Sequence, residues 1–225
     1  MAEKKPKPQK FTSEIGTAFH PYLDKPDTKF KDEGEFKVNM RWSAEDAAKI
    51  KAQVDEKMKE ARKLPDLLAA KKKNPKAAIP ENTPYKEAID DNGDETGELE
   101  FKFATTASGK SKKDGKPWKR TIKFFDAKGQ PMKPISLWSG SRLRVSYTIG
   151  TYFINAKVGY GVKLYLEAVK VIEAVQGSGG SAKDYGFGEE EEGYTKDDMQ
   201  SNDSDDAGDD SSDSEDNDGD DATDF

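Results

Sequence analysis

The sequence predicts a mainly β protein, a small closed β-barrel with a helical insertion, followed by a disordered acidic tail. Four segments between residues 98 and 175 alternate apolar and polar residues and are separated by turn residues. One amphipathic helix precedes them, and the last 37 residues carry eighteen Asp or Glu against a single Lys. Strands, one helix and then two hairpins favour a closed barrel over a sandwich.

The first predicted elements lie between residues 1 and 84. Residues 1–10, with four Lys and two Pro, are expected to form a flexible basic arm, and order is expected from Phe11, in a domain spanning residues 11–176. Residues 35–42 alternate as a half-buried strand with one apolar face, formed by Phe36, Val38, Met40 and Trp42.

After Trp42, the spacing of the apolar residues changes from that of a strand to that of a helix. Ser43 is placed to cap a helix that has Glu45 and Asp46 in its first turn and ends before Pro65. Its apolar residues recur at helical spacing, at Ile50, Val54, Met58 and Ala61. Residues 65–84 are interpreted as a connection, in which a short helix over Asp66–Lys73 is the alternative, so the helical insertion spans about residues 43–74.

The barrel strands are expected after the turn-rich stretch 90–97. Glu98–Ala107 and Trp118–Asp126 are predicted to form a hairpin through the loop Ser108–Pro117. Arg142–Ile154 and Tyr160–Val175 are predicted to form a second hairpin with long arms. Tyr152 and Phe153 are adjacent, so one of them is expected to face solvent.

The C-terminal segment and the rest of the chain have net charges of opposite sign. Residues 189–225 have a net charge of −17, whereas residues 1–188 have 36 Lys and Arg and 26 Asp and Glu, a net charge of +10. A GSGGS sequence opens a linker over residues 177–188, and the acidic tail is expected to be disordered. A basic body indicates a polyanionic ligand, for which the tail can compete, and the terminal Phe225 suits a partner's pocket.

Several classes of site are disfavoured. The chain has no Cys and its one His is His20, for which a structural or surface role is expected, so thiolate chemistry is excluded and a zinc site is not expected. Residues 90–94 resemble the start of a calcium loop, but Glu95 replaces the Gly it needs, so they are interpreted as a turn. We therefore expect no enzyme activity, no cofactor, no metal and no membrane span.

Basic and aromatic residues interleave on the predicted strands, as in proteins that bind single-stranded nucleic acid. Cations would contact phosphates, and exposed aromatic rings would stack on bases. The cationic candidates are Lys37, Arg41, Lys102, Lys119, Lys123, Arg142, Arg144, Lys157 and Lys163. The aromatic candidates are Trp118, Trp138, Tyr147, Tyr152, Phe153, Tyr160 and Tyr165.

Several segments together resemble the single-stranded DNA-binding protein family of T7-type bacteriophages. They are Phe11-Thr12-Ser13 with Gly16-Thr17-Ala18, the turn Asp91–Asp94 leading into Phe101-Lys102-Phe103, the run from Val158 to Glu167, and the ending Asp224-Phe225. The resemblance implies an oligonucleotide-binding (OB) barrel capped by a helix. It also implies strand annealing and the binding of single-stranded DNA by Tyr152 and by cations that include Arg41, Lys102 and Lys123.

The resemblance also implies partners and a setting. The protein would form a homodimer. Its tail would recruit a phage DNA polymerase and helicase-primase through Asp220, Asp221, Asp224 and Phe225. It would act in replication, recombination and repair in the cytoplasm of the infected bacterium. The chain departs from the family pattern at Ile154, where a second aromatic is expected, which leaves either Phe153 or no residue as its replacement. It also departs in the Lys-rich helical insertion. Two other classes stay open, an acidic-tailed chaperone-like interaction protein and an RNA-binding cold-shock-like barrel.

Overall fold

The computed structural model describes residues 8–90, 92–111 and 113–175, which contain twelve strands and two helices. In chain order the elements are β1 (Lys10–Thr12), β2 (Gly16–Asp27), β3 (Glu35–Ser43), α1 (Ala44–Ala61), α2 (Pro65–Lys73), β4 (Glu81–Asn82), β5 (Tyr85–Ile89), β6 (Glu95–Thr106), β7 (Ser108–Lys110), β8 (Pro117–Lys119), β9 (Lys123–Phe125), β10 (Pro131–Met132), β11 (Arg142–Asn155) and β12 (Gly159–Glu173).

Five long strands close the barrel. The sheet runs β11-β2-β3-β6-β12, and β11 also pairs with β12, so the ring has no open edge. The shorter strands β1, β4, β5, β9 and β10 extend the sheet outside this ring, whereas β7 and β8 form a separate two-stranded sheet. The predicted mainly β closed barrel with a helical insertion is therefore confirmed.

The core of the barrel follows the alternation of β3. Its four predicted inward residues, from Phe36 to Trp42, are all buried. The Trp42 ring packs edge-on against Phe101 and Phe103 of the neighbouring strand β6, with ring centres 5.8 and 6.1 Å apart. The opposite residues of β3 are thereby directed to the outer surface of the barrel.

The helix α1 forms where its cap and its apolar spacing predict it. The Ser43 hydroxyl accepts a hydrogen bond from the Asp46 backbone N–H at 3.2 Å. Ala47, Ile50, Val54, Met58 and Ala61 are buried against the barrel. The interpretation of residues 65–84 as a connection was wrong, because the alternative helix forms as α2, anchored by Leu67, and β4 follows it.

The first strand of the barrel ring, β2, was not predicted. The twelve-residue strand β2 contains Pro21 and Pro26 and a backbone irregularity at His20, which is exposed and has a φ of 48°. The β2–β3 register shifts between Phe19 and Tyr22 and again before Asp27. These shifts interrupt the strict alternation by which a strand is recognised in a sequence.

One predicted hairpin was wrong and the other is confirmed. After β6 the chain forms the small hairpin β7–β8, and β9 then runs parallel to β12, with Val169 opposite Phe124. The strands β11 and β12 pair antiparallel from Arg142–Glu173 to Asn155–Gly159, with three register shifts within the pairing. The expected linker and acidic tail, and residues 1–7 of the basic arm, lie outside the described residues.

Candidate nucleic-acid interface

The β11–β12 hairpin presents two tyrosines on one outer surface. Residues that lie opposite each other in an antiparallel pair share a face of the sheet. Thr148 lies opposite Tyr165, Gly150 opposite Lys163 and Tyr152 opposite Gly161, so these three pairs form successive rows. The intervening residues, including Leu164, face the core. The hairpin therefore places Tyr152, Lys163 and Tyr165 together.

Glycine creates the space in which these side chains lie. A Cβ at Gly150 would be 2.7 Å from Cε2 of Tyr165, so the tyrosine ring lies directly against this backbone. A Cβ at Gly161 would be 2.1 Å from the backbone oxygen of Asn82, and β4 approaches β12 at this point. Burial raises the pKa of the Tyr152 hydroxyl, although a hydrogen bond with Asn82 opposes the rise.

The two tyrosines line an open groove with a volume of about 380 Å³, which we call the tyrosine groove. Lys31, Lys102 of β6 and Lys163 of β12 provide its positive charge, and Ile154 adds an exposed apolar side chain. The lining residues are Lys31, Glu35, Thr83, Pro84, Lys102, Ala104, Tyr152, Ile154, Val162, Lys163 and Tyr165. The groove thus combines aromatic faces and cations, the two groups that bind bases and phosphates.

Glu35 lies at the centre of the charges in the tyrosine groove. Its carboxylate is 3.0 Å from Nζ of Lys31, 3.2 Å from Nζ of Lys163 and 3.7 Å from Nζ of Lys102. Burial alone would raise the pKa of Glu35, but hydrogen bonds and charges from Lys31 and Lys163 outweigh it, and the pKa is lowered. Glu35 is therefore an ionised carboxylate that holds three lysines in one place.

The same outer surface continues across β3 and β2. Lys37 lies opposite Ala104, a residue of the tyrosine groove, and Arg41 lies opposite Glu100. Lys37 pairs with Asp27, and Nε of Arg41 is 2.8 Å from Glu100. Burial opposes ionisation of Glu100, but Arg41 and Lys86 outweigh it and lower its pKa. The predicted cations Lys37, Arg41, Lys102 and Lys163 thus share one surface, each beside a carboxylate.

Three aromatic residues near these cations were not predicted from the sequence. Nζ of Lys37 is 4.8 Å from the ring centre of Tyr22, and the guanidinium of Arg41 is 3.8 Å from that of Phe19. Phe30, in the loop between β2 and β3, is 80% exposed beside the groove residue Lys31. Phe19 and Tyr22 belong to the strand that was not predicted. An isolated Phe in a Lys- and Asp-rich loop was the signal available for Phe30.

Two other predicted cations, Lys123 and Arg144, line a second groove. Its volume is about 440 Å³, and it shares no lining residue with the tyrosine groove. We call it the basic groove and define it by its cations, which are Lys10, Arg120, Lys123, Arg144 and Lys170. Of the nine cations expected to form one track, Lys102 and Lys163 therefore line the tyrosine groove, whereas Lys123 and Arg144 line the basic groove.

Three aromatic candidates belong to the interior and not to an exposed surface. Tyr147 is buried and donates a hydrogen bond to Oε1 of Gln53 at 2.7 Å, and burial raises its pKa to about 12. Tyr160 is also buried and donates to Oε2 of Glu81 at 2.6 Å. Phe153 packs against the core, so the residue that fills the place of the missing aromatic in the groove is Ile154.

The remaining candidates are exposed but lie outside both grooves. Trp118 and Lys119 are on β8, where the Trp118 ring lies against Gly109 and near Arg120. Trp138 precedes β11 and is 57% exposed, Arg142 begins that strand, and Lys157 is in the turn that follows it. The tail candidates Asp220, Asp221, Asp224 and Phe225 lie outside the described residues.

The described residues offer little for metal chemistry. Within residues 8–90, 92–111 and 113–175, no group of three or more His, Cys, Asp or Glu side chains could hold a metal ion. The segment that resembles the start of a calcium loop forms a turn. In this turn, Oδ1 of Asp90 accepts hydrogen bonds from the backbone N–H groups of Asn92 and Asp94, both at 2.9 Å. No helix among the described residues is long and apolar enough to cross a membrane.

Known proteins match this chain along most of its length. The family described as "Single-stranded DNA-binding protein, Bacteriophage T7" matches residues 15–174. The single-stranded DNA-binding protein of Enterobacteria phage T3 is 32% identical over 211 residues, which cover 86% of this chain and 88% of that protein. The protein of the same name from Escherichia phage T7 is 37% identical over 105 residues, 46% of this chain and 44% of that protein.

A solved structure shares the fold. The crystal structure of gp2.5, a single-stranded DNA-binding protein encoded by bacteriophage T7, matches with a TM-score of 0.62 and 28% identity, over 84% of this chain and 98% of that one. The match confirms the oligonucleotide-binding type of barrel that the resemblance implied.

Proposed function

The chain belongs to the single-stranded DNA-binding protein family of T7-type bacteriophages, and from this premise we propose that it binds single-stranded DNA through the tyrosine groove. Binding is non-covalent, without catalysis or a cofactor, and tolerates most sequences. The observation that carries the proposal is the placement of Tyr152 and Tyr165 beside Lys102 and Lys163 in one open groove.

Each part of the groove has a role in this proposal. The rings of Tyr152 and Tyr165 stack on unpaired bases, and every base offers a face for stacking, so contacts of this kind discriminate little between sequences. The ammonium groups of Lys102 and Lys163 contact phosphates, which are the same at every nucleotide. A duplex has no unstacked bases to offer, and single strands are therefore the preferred ligand.

Ion-pair exchange accompanies binding in this proposal. The six cations of this surface, Lys31, Lys37, Arg41, Lys86, Lys102 and Lys163, have three carboxylate partners, Asp27, Glu35 and Glu100. The carboxylates hold the side chains in position before DNA arrives, and the surplus of positive charge attracts the phosphates. Phosphates then share or replace the carboxylates as partners.

The biological role is a further part of the proposal, supported by the family and by the charge division of the chain. The protein coats exposed single strands during phage replication, recombination and repair in the host cytoplasm, and it brings complementary strands together for annealing as a homodimer. The acidic tail competes with DNA for the basic surface. Its end, with Asp220, Asp221, Asp224 and Phe225, recruits a DNA polymerase and a helicase-primase.

Equilibrium binding to a labelled oligo(dT), measured by fluorescence anisotropy, tests the function. Trp quenching is a poor reporter, because Trp42 is buried and Trp118 and Trp138 lie outside the tyrosine groove. We expect saturable binding that unlabelled single-stranded DNA reverses at lower concentrations than poly(U) or duplex DNA. Absence of binding would favour the interaction-protein class, and preferential competition by poly(U) would favour the RNA-binding class.

A further inference from the structure

The basic groove is formed by two rows of residues that cross neighbouring strands. Thr12 of β1 lies opposite Ser146, Ser146 opposite Ala168, and Ala168 beside Lys123 of β9. The next row contains Arg144, Lys170 and Phe125. Because Ser146 and Ala168 have small side chains, the middle of the sheet forms a shallow floor between longer side chains. The floor leaves room for an extended chain.

The charge of this groove is unbalanced. Its lining includes five cations and one carboxylate, Glu167, which is 3.4 Å from Nζ of Lys10. Arg144 pairs with Glu14 at 3.3 Å. Within the described part of the chain, neither Lys123 nor Lys170 is in an ion pair. The two lysines thus lack the local carboxylates that hold the cations of the tyrosine groove.

The two grooves lie on the same outer surface of the β11–β12 hairpin. Lys163 of the tyrosine groove lies opposite Gly150, and Lys170 of the basic groove lies opposite Arg144, six residues back along β11. Six residues of a strand span about 20 Å. The row next to Lys163 contains Tyr165 and Thr148, and Thr148 also pairs with Lys10. A residue of the tyrosine groove and one of the basic groove therefore flank the same threonine.

We propose that the basic groove binds the sugar-phosphate backbone of the same single strand beyond the tyrosine groove. The proposal rests on the proposed function. The strand passes over Tyr165 and continues along Ser146 and Ala168, with Lys123, Lys170 and Arg144 at its phosphates. Phe125 is the one aromatic among the lining residues, and it is partly buried, so this segment is bound through phosphates with little base stacking.

The contribution of the basic groove is expected to depend on oligonucleotide length. OB-folds bind about 4 to 16 nucleotides, so an oligo(dT) of about 5 nucleotides fills the tyrosine groove and one of about 16 reaches both grooves. The full-length double variant Lys123→Ala, Lys170→Ala removes two cations that form no ion pair with another described residue. The control is Lys49→Ala, Lys59→Ala, which removes the same charge from exposed positions on α1, outside both grooves.

We expect the variant Lys123→Ala, Lys170→Ala to bind the long oligonucleotide about ten-fold more weakly at low salt, and to bind the short one with unchanged affinity. The slope of log affinity against log salt should become shallower by about 1.4 for the long oligonucleotide, since each single-strand phosphate contributes about 0.7. The control variant should show neither change. Thermal unfolding of both variants verifies that they are folded.

Other outcomes would overturn the inference. Equal losses for both lengths, or losses that match the control, would show that the basic groove is not a continuation of the path. A variant that keeps its affinity for the long oligonucleotide but no longer binds a second, separately labelled DNA strand would show that the basic groove binds a second DNA molecule. Tighter binding by the variant would mean that an acidic segment occupies it. If the wild-type protein binds neither length, the proposed function itself is refuted.

Discussion

At the scale of residues, the pleat of β11 separates two neighbouring aromatic side chains. Tyr152 faces the tyrosine groove, and Phe153 packs against the core. The sequence predicts that one of the two faces solvent, because adjacent strand residues point to opposite sides. Which one does so depends on the register with β12, where Tyr152 lies opposite Gly161 and Phe153 opposite Tyr160. Long-range pairing of this kind is not visible in a local pattern.

Replacing Tyr152 by Ala removes one stacking surface from the tyrosine groove. We expect affinity for oligo(dT) to fall by about 1–3 kcal/mol, with little change in the unfolding midpoint, because the ring is only partly buried. Trp138→Ala is the matched control, since it removes an exposed aromatic outside both grooves. A large loss of stability in the Tyr152 variant, or an equal loss of affinity in the control, would contradict the stacking role.

Replacing Glu35 by Gln removes the negative charge among Lys31, Lys102 and Lys163. Because the groove becomes more positive, we expect single-strand affinity to rise by roughly three-fold at low salt and the gain to disappear at high salt. Glu33→Gln, an exposed neighbour with the same charge change, should have a smaller effect. Weaker binding by the Glu35 variant would show instead that positioning of the lysines outweighs the charge.

At the scale of elements, local signals explain which parts of the fold are predictable. The alternation of β3 and the Ser43 cap of α1 are complete within a few residues, and both elements form as expected. The strand β2 is hidden by Pro21, Pro26 and the turn at His20. The strand β9 lies within the predicted arm Trp118–Asp126, but its parallel pairing with β12 joins residues far apart in the chain, and turn residues do not reveal such a pairing.

An ion-pair network joins three elements at one end of the barrel. Arg62, which follows α1, contacts Glu81 of β4 at 2.6 and 2.8 Å, and Glu81 also accepts from Tyr160 of β12. Hydrogen bonds from Arg62 and then Tyr160 lower the pKa of Glu81 to about 2 from an ordinary value of 4.5. A lowered carboxyl pKa stabilises the fold above the unfolded-state pKa, and this contribution is lost as the pH falls through the folded-state value.

The pH dependence of unfolding tests this network. We expect the denaturant midpoint of the wild-type protein to fall between about pH 4.5 and pH 2, partly through Glu81. Glu81→Gln should be less stable at pH 7 and should have a shallower pH dependence in this window. Identical pH profiles for the two proteins would show that Glu81 contributes nothing to the stability of this end of the barrel.

At the scale of the whole molecule, the division of charge between body and tail predicts salt-dependent autoinhibition. The tail has a net charge of −17 and residues 1–188 have +10, so we expect the tail to compete with DNA on the same chain. Deleting residues 189–225 should tighten single-strand binding most at low salt, and the difference should close as salt rises. Equal affinities of the two proteins at low salt would refute the competition.

Removal of Phe225 alone separates recruitment from competition. The deletion leaves the charge of the tail nearly unchanged, so we expect DNA affinity to stay the same. Binding to the phage polymerase or helicase-primase, measured with immobilised partner, should fall sharply if the ring fills a pocket on that partner. Intact partner binding after the deletion would refute this role of Phe225.

The candidate site could be predicted from the sequence only in part. Basic residues on alternate positions of β3, β6 and β12 pointed to Lys37, Arg41, Lys102 and Lys163, and these do share a surface. Lys123 and Arg144 have the same pattern, yet the register of β9 and β11 places them in another groove. Glu35 and Phe19 were missed because their importance lies in contacts made across strands, which closure of the barrel creates.

Binding of a single strand through stacking and phosphate contacts in the tyrosine groove is best tested by the salt dependence of short oligo(dT) binding. About four phosphate contacts predict a slope of log affinity against log salt near −3, at about 0.7 per phosphate. The variant Lys102→Ala, Lys163→Ala should reduce the steepness by about 1.4, whereas Lys49→Ala, Lys59→Ala should leave it unchanged. An affinity that does not change with salt, or a slope unaffected by loss of Lys102 and Lys163, would contradict the account.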